Sequence, residues 1–367
     1  MLRYPISPDS FKLLFSFTFS FLIVAGCEPI ATDFDDLEEA VRYQAAEMTT
    51  PPSRVDSLLV MTWNIRYGAA RIPWFGDSCG DRVILTKTEV TNALNGLAGK
   101  ISEVNPDIVI LQEVDVGSKR SDYIDQVQWL LDHTDLNYGA YASYWQIQFI
   151  PSDGLGRMDA GNAILSRWKF TEMERLALPL RGDQDALTQY FYLRRNILKV
   201  KVALPGQDNF YVVGVHTAAF STDDTKKGHI DRFKETLDAL DDMGALFAAG
   251  GDLNELPPES DSTNYCDEAR CPEDPEDVCP DGSDYGPERD WLTGLYNRYN
   301  SAISLGEYRR TNGPYFTYGR AETDAWDRKL DYLFTNGRWI AGSDSTHQDA
   351  IELSDHCPVT AKLVLTP

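Results

Sequence analysis

A series of short apolar runs, each delivering a polar residue at its end, constrains this chain more than any other feature. Residues 58–63 lead into Asn64, 108–112 into Glu113, 211–215 into His216, and 246–251 into Asp252 and Asn254. Asp331 lies inside the run 329–334, and Asp355 and His356 stand directly before 357–359. Runs of this length read as buried strands, so the pattern would crowd carboxylates, amides and imidazoles along one edge of a sheet. Unpaired charges in such a place cost several kcal/mol. A metal ion and a phosphate group are the natural counterparts.

With 43% hydrophobic residues over 367 positions, the chain can bury a large core. Strand-like and helix-like segments alternate without a repeat period, which reads as one large domain over 57–367. The first 26 residues stand apart. Arg3 and Lys12 precede an apolar stretch over 13–24, and Leu22-Ile23-Val24-Ala25-Gly26 runs into Cys27. This is the form of a signal peptide, and it resembles a bacterial lipobox. That resemblance implies a lipidated Cys27 as the first mature residue, and an exported protein anchored in the bacterial cell envelope on its periplasmic or outer-surface face. Residues 27–56 read as an acidic tether, partly helical, with no chemistry of its own.

Export permits disulfides. Of the six cysteines, Cys27 is assigned to the lipid and Cys357 reads as a buried free thiol. Cys79, Cys266, Cys271 and Cys279 remain for two bridges whose pairing the sequence leaves open. They lack the Cys-x-x-Cys spacing and the neighbouring His of a zinc site. The net charge of −23 disfavours a protein that follows extended duplex nucleic acid, since affinity for polyphosphate rests on Lys and Arg.

Strands are expected at 58–65, 107–112, 138–144, 161–166, 193–202, 210–216 and 246–252. Helices are expected at 86–104, 121–133 and 224–243, where apolar residues recur at amphipathic spacing. The alternation breaks at 255–290, where Pro, Asp and Glu surround Cys266, Cys271 and Cys279. An insertion this long without periodicity is functional or disordered, and it reads as a cysteine-stapled flap with a solvated acidic surface. A helix near 291–299, strands at 308–310 and 329–334, and a closing strand at 358–365 complete the chain.

Seven motifs occur in order: Thr-Trp-Asn-Ile at 62–65, Leu-Gln-Glu-Val at 111–114, Gly-Asn-Ala-Ile-Leu-Ser-Arg at 161–167, Val-His-Thr at 215–217, Gly-Asp-Leu-Asn at 251–254, Leu-Asp-Tyr at 330–332 and Ser-Asp-His-Cys-Pro-Val at 354–359. Together they resemble the endonuclease/exonuclease/phosphatase superfamily from about residue 58 to 365. The resemblance implies an α/β (α+β) fold, a four-layer α/β/β/α sandwich of two mixed, mainly antiparallel sheets between outer helices. It implies metal-assisted hydrolysis of a phosphoester by in-line attack of water, with Mg2+ or Mn2+ as the cation suited to carboxylate oxygens.

By the same resemblance Glu113 and Asp355 are metal ligands, and Asn64 supports the metal or donates to the phosphate. His356 matches the histidine that pairs with an aspartate, here Asp331. Asp252 is a second candidate base, and the choice between it and His356 stays open. Asn254 would donate to the phosphorane. His216 in Val-His-Thr-Ala resembles the deoxyribonuclease and sphingomyelinase branches, where a second histidine protonates the leaving oxygen. Arg195 fits a phosphate-binding arginine, with Arg194 as the alternative, and Asp159 is a candidate to orient His216. His133, His229 and His347 read as surface or helix-face residues.

Two departures bear on substrate. Gly251-Asp252-Leu253-Asn254 is followed by Glu255-Leu256, unlike the inositol-polyphosphate phosphatase pattern, and no Lys/Arg-rich strip flanks the motifs. Residues 315–318 and Trp326 read either as an apolar rim for a lipid or sugar phosphodiester or as ordinary loop packing. The expected protein is a monomeric, lipid-anchored, divalent-metal-dependent hydrolase of a phosphoester, most simply a phosphodiester, of lipid, sugar-phosphate or nucleotide type. A secreted nuclease and a non-catalytic surface-binding lipoprotein are the competing readings; the second predicts loss of a site residue, and none is missing.

Overall fold

The computed structural model describes residues 30–74, 80–150, 154–271 and 282–365. The signal segment, Cys27, Cys79 and Cys279 lie outside these. Strands run over Leu37–Glu39 (β1), Val41–Gln44 (β2), Ser57–Asn64 (β3), Ile108–Asp115 (β4), Tyr138–Ile150 (β5), Gly156–Ser166 (β6), Phe170–Ala177 (β7), Asn196–Val202 (β8), Phe210–His216 (β9), Leu246–Asp252 (β10), Asn300–Ser301 (β11), Asp331–Thr335 (β12), Ser345–Thr346 (β13) and Val359–Val364 (β14). Among the described residues they form two seven-stranded sheets, β1-β7-β8-β9-β10-β12-β11 and β13-β14-β3-β4-β6-β5-β2. β3 with β4 and β9 with β10 are parallel, and the remaining neighbours antiparallel.

Side chains alternate across a strand, and here both faces are apolar. In β9, Phe210 and Val212 join the core between the sheets, whereas Tyr211, Val213 and Val215 face the helices Thr225–Asp242 and Thr293–Arg298. In β3, Leu58 and Val60 face the inter-sheet gap, while Met61 and Trp63 pack with the helices Lys87–Val104 and Gln126–Asp132. The result is the expected α/β/β/α sandwich. Gly214 lets the sheets approach: a Cβ there would stand 2.8 Å from Ile110 Cγ2 of the facing sheet.

The Lys87–Val104 helix starts where Thr86 and Glu89 form a capping box and stops at Asn105 in a left-handed conformation, just before Pro106. The expected helix over 121–133 starts later, at Gln126, because Asp125 accepts from the Gln128 amide as N-cap. The strand expected at 308–310 is instead the end of a helix, Leu305–Arg310, begun by a Ser304/Glu307 capping box. Local capping sets the helix there.

The acidic segment expected to be a partly helical tether is instead a clasp over part of its length. β1 pairs with β7 at the edge of one sheet, and β2 pairs with β5 at the edge of the other. Ala40 between them is buried and donates its amide to the Met173 carbonyl at 3.0 Å. Free edges expose unpaired backbone groups, and these strands cover one edge of each sheet. Their charged side chains hid them from a reading based on apolar periodicity.

The insertion is only partly the solvated flap anticipated. Leu256, Tyr265 and Tyr285 form a small core with Leu330. Glu255 and Glu288 are buried, and the buried Lys226 ammonium pairs with Glu288. Burial, together with Glu288, pushes the Glu255 carboxyl up to about 10. Cys266 and Cys271 each take part in a disulfide, and Cys357 is a buried free thiol.

Candidate active site

The alternation that builds the core also aims the site. Along β3 the inward residues continue through Thr62 to Asn64, along β9 through Gly214 to His216, and along β10 through Ala248 and Gly250 to Asp252. Asp252 lies opposite His216 on β9 and opposite Asp331 on β12. Three functional side chains thus stand side by side at the ends of adjacent strands, facing Asn64 of the other sheet.

Glu113 would point to the helices if β4 were regular. A bulge between Leu111 and Val114 and a left-handed Glu113 backbone, φ 56°, turn it into the cleft. Bulges re-aim side chains next to functional sites in this way. Asn254 is also left-handed, φ 46°. Gly251 before it, at φ 142°, lies so close to β9 that a Cβ would fall 1.9 Å from the Val215 carbonyl oxygen.

The Asp252 carboxylate is the hub. Its Oδ2 accepts from Asn64 Nδ2 at 3.1 Å, lies 3.3 Å from His216 Nε2 and lies 3.6 Å from His356 Nε2, while Oδ1 accepts from the Asn254 amide at 2.9 Å. His356 Nδ1 is 2.8 Å from Asp331 Oδ2. Glu113 Oε1 lies 3.9 Å from His216 Nε2. Ser354 Oγ donates to the Asn64 carbonyl and also contacts Asp355 Oδ1 at 3.2 Å. Thr317 Oγ1 accepts from the amides of Leu330 and Asp331, and Tyr318 packs on the His356 ring. Residues 317 and 318 therefore buttress the Asp331–His356 pair rather than forming an apolar rim, and Trp326 donates to the Gln348 carbonyl.

The electrostatics separate the two histidines. Burial disfavours the His356 imidazolium, but Asp331 and Asp252 outweigh it and hold the pKa up at about 10. Burial and the positive charges of Arg195 and His356 drive His216 well below its ordinary value. The Asp252 carboxyl is pushed up to about 6 by burial, with Asp331 adding to the effect. Near pH 7 the cluster therefore holds a charged His356, a neutral His216 and an ionised Asp252 able to take a proton.

Arg195 sits over the Tyr144 ring at 5.1 Å, and its Nη1 is buried without a hydrogen-bond partner among the described residues. Tyr144 in turn meets the His216 ring edge-on. An unpaired buried guanidinium donor beside this cleft is suited to an anion. Arg194 points elsewhere, with its Nε 3.5 Å from Asp33. Asp159 does not reach His216: it accepts from Tyr141, Ser143 and Gln146, and His216 Nδ1 has no hydrogen-bond partner among the described residues. His229 lies on the Thr225–Asp242 helix, on its buried face rather than at the surface, accepting from the Ala218 amide and bonding the Pro179 carbonyl, which braces the segment after His216. The sequence reading missed Arg66, whose buried Nε lies 3.3 Å from Asp355 Oδ2.

Glu113 fits a cation. Burial, with the neighbouring Asp355, pushes its carboxyl up to about 7, so two carboxylates and an amide crowd one spot. Such hard oxygen donors suit Mg2+ or Mn2+. Asp252, Asp331 and His356 also bring donor atoms within 4.8 Å of one another. With Nδ1 on Asp331 and Nε2 toward Asp252, that imidazole reads as a protonated bridge rather than an open ligand.

A stability test follows. The unfolded Glu113 pKa is near 4.5 and the folded one about 7, so the carboxylate destabilises the metal-free fold increasingly as pH rises between these values. Glu113→Gln is expected to stabilise the metal-free protein by about 2 kcal/mol at pH 8, and to give no gain at pH 4. Thermal unfolding with and without Mn2+ checks this: added Mn2+ should raise the wild-type Tm and leave the variant's unchanged.

The two facing sheets and the acid–imidazole cleft at the ends of their strands define an α/β/β/α sandwich with a site shared by both sheets. The description of the Endonuclease/Exonuclease/phosphatase family matches residues 61–356, and the chain belongs to that family, whose members are metal-dependent phosphoesterases and nucleases. Many solved structures share the fold, among them the following three. An endonuclease/exonuclease/phosphatase from Beutenbergia cavernae is 22% identical, with 85% of this chain and 72% of that chain covered and a TM-score of 0.51. A family protein from Leptotrichia buccalis is 14% identical, with 83% and 99% covered and a TM-score of 0.51. An endonuclease/exonuclease/phosphatase from Bacteroides vulgatus is 15% identical, with 84% and 99% covered and a TM-score of 0.50. No curated protein matches the chain significantly.

Proposed function

We propose that this protein hydrolyses a phosphodiester with a divalent cation, and that it does so exported and anchored to a membrane through Cys27. The observation that carries the catalytic reading is the hub at Asp252, where one carboxylate oxygen faces Asn64, His216 and His356. Glu113 and Asp355, with Asn64 beside them, would hold the cation. When bound, it supplies neutralisation of phosphate oxygens and of transition-state charge.

Arg195 and Asn64 bind the phosphate, with the free Arg195 Nη1 donating to it. Asp252 accepts the proton of the attacking water, because its pKa of about 6 leaves it ionised at neutral pH and still basic enough to act. His356, kept charged by Asp331, stabilises negative charge that develops on phosphorus-bound oxygens. His216 is neutral in the free protein. An anionic phosphate beside it raises its pKa and so prepares it to protonate the leaving oxygen. Asn254 donates to the phosphorane.

The test is a metal-supplemented screen of the full chain against DNA, RNA, phospholipids, inositol phosphates and bis(p-nitrophenyl) phosphate. A diester is expected to be cleaved, reversibly blocked by chelation, with little activity on duplex DNA. Cleavage of duplex DNA above all others would favour the secreted nuclease.

Export is supported by the disulfide bonds at Cys266 and Cys271, since such bonds persist in oxidising compartments. Among the described residues no helix is long and apolar enough to cross a membrane. Mass spectrometry should find a diacylglyceryl-modified Cys27 at the mature N-terminus. Unchanged processing and membrane fractionation in Cys27→Ser contradicts that expectation.

A further inference from the structure

We propose that the face carrying Ile30, Phe149, Leu187, Tyr190 and Phe220 rests on the lipid bilayer that holds the anchor, so that the cleft works on the headgroup ester of a lipid in the same leaflet. This rests on the anchored phosphodiesterase reading above. These side chains are exposed: Leu187 70%, Phe149 60%, Phe220 51%, Ile30 48% and Tyr190 39%. Scattered apolar residues need no explanation, but these lie on segments bonded to one another. Ile30 accepts from the Gln148 amide at 2.8 Å beside Phe149, and the Ala31 amide donates to Tyr190 Oη at 3.3 Å. Gln189 Nε2 donates to the Arg181 carbonyl at 2.8 Å, and Arg181 Nη2 to the Phe220 carbonyl at 2.7 Å.

Where the chain enters the fold selects the occupant. Ile30 stands three residues after Cys27, a span of at most about 11 Å when extended, so a lipid on Cys27 would bring this face, and not a distant one, to the membrane. The lipid on Cys27 supplies the attachment, and an apolar patch beside it adds buried area that orients the fold on the bilayer. The patch also borders the site. Phe220 follows His216 by four residues, and the segment after Tyr190 leads to Arg195 on the Tyr144 ring. Arg181 and Asp183 on these segments pair with each other at 2.6 Å, so they contribute little attraction to charged lipid. Contact is therefore apolar.

The test uses the mature chain from residue 27 with Cys27→Ser, so that the patch acts without the signal segment or the lipid, in sedimentation with phosphatidylcholine vesicles. Adding Leu187→Ser, Tyr190→Ser and Phe220→Ser should lower the bound fraction at least about fivefold, and high salt should leave binding of the parent unchanged. Equal binding by the two chains, or binding that needs anionic lipid, overturns the proposal.

A second measurement uses the anchored chain in the same vesicles with Mn2+. The triple substitution should slow hydrolysis of vesicle lipid about tenfold and leave bis(p-nitrophenyl) phosphate hydrolysis within about twofold, which also reports an intact fold. Loss on both substrates, or on neither, overturns the proposal. A wild-type chain inactive on every diester sinks the phosphodiesterase reading instead, and the sedimentation result still decides the docking face.

Discussion

Asp252→Asn is expected to lower kcat on a phosphodiester by about 10²- to 10⁴-fold, the range for losing a general base, while the protein stays folded. The substitution keeps the side chain's shape, and its carbonyl oxygen can still accept from the Asn254 amide, which holds the β10 turn at 2.9 Å. It removes the charge at the hub and the only carboxylate oxygen facing both imidazoles within 3.6 Å among the described residues. Turnover measured beside circular dichroism distinguishes this from a structural role. A variant retaining a tenth or more of wild-type kcat (roughly, against the range expected for a lost base) would assign the base elsewhere.

Asp331→Asn should act through His356 and therefore through pH. In the wild type the imidazolium survives to about pH 10 because Asp331 and Asp252 outweigh burial, and Asp252 ionises near pH 6. The kcat/KM profile should accordingly rise through about 6 and fall through about 10. Without Asp331, the His356 pKa falls toward or below its ordinary value of about 6.5, so the alkaline limb moves down and the active window nearly closes. At pH 8 the expected loss is about 30-fold, and near pH 6 it is much smaller. A uniform loss at all pH values would show that Asp331 only positions His356.

The layered fold and most of the site were legible because they share one cause. A period-two apolar pattern that terminates in Asn64, His216 and Asp252 both fills the inter-sheet core and points those residues at its end. Tertiary facts were less legible. Nothing in the Leu-Gln-Glu-Val run announces the bulge that turns Glu113 inward, and Arg66 carries no local signal, since its partner Asp355 is brought to it only by the pairing of β3 with β14. β1 and β2 were read as tether because their stabilisation comes from covering sheet edges, not from apolar side chains. The Glu255–Lys226–Glu288 cluster was invisible for a similar reason: charged residues were assigned to solvent, whereas Lys226 and Glu288 neutralise one another inside the fold. His229 follows the same rule, satisfied by two backbone groups that only folding supplies.

The measurement that bears most directly on the account is the hydrolysis rate of bis(p-nitrophenyl) phosphate by the purified full chain. It should be followed through EDTA treatment and Mn2+ addition, with Glu113→Gln alongside. The account predicts turnover that EDTA abolishes and Mn2+ restores in the wild type, and turnover reduced by about 10²-fold or more in the variant at every Mn2+ concentration tried. Hydrolysis that survives EDTA, or a Glu113→Gln chain as active as the wild type, would contradict a cation held at Glu113 and Asp355.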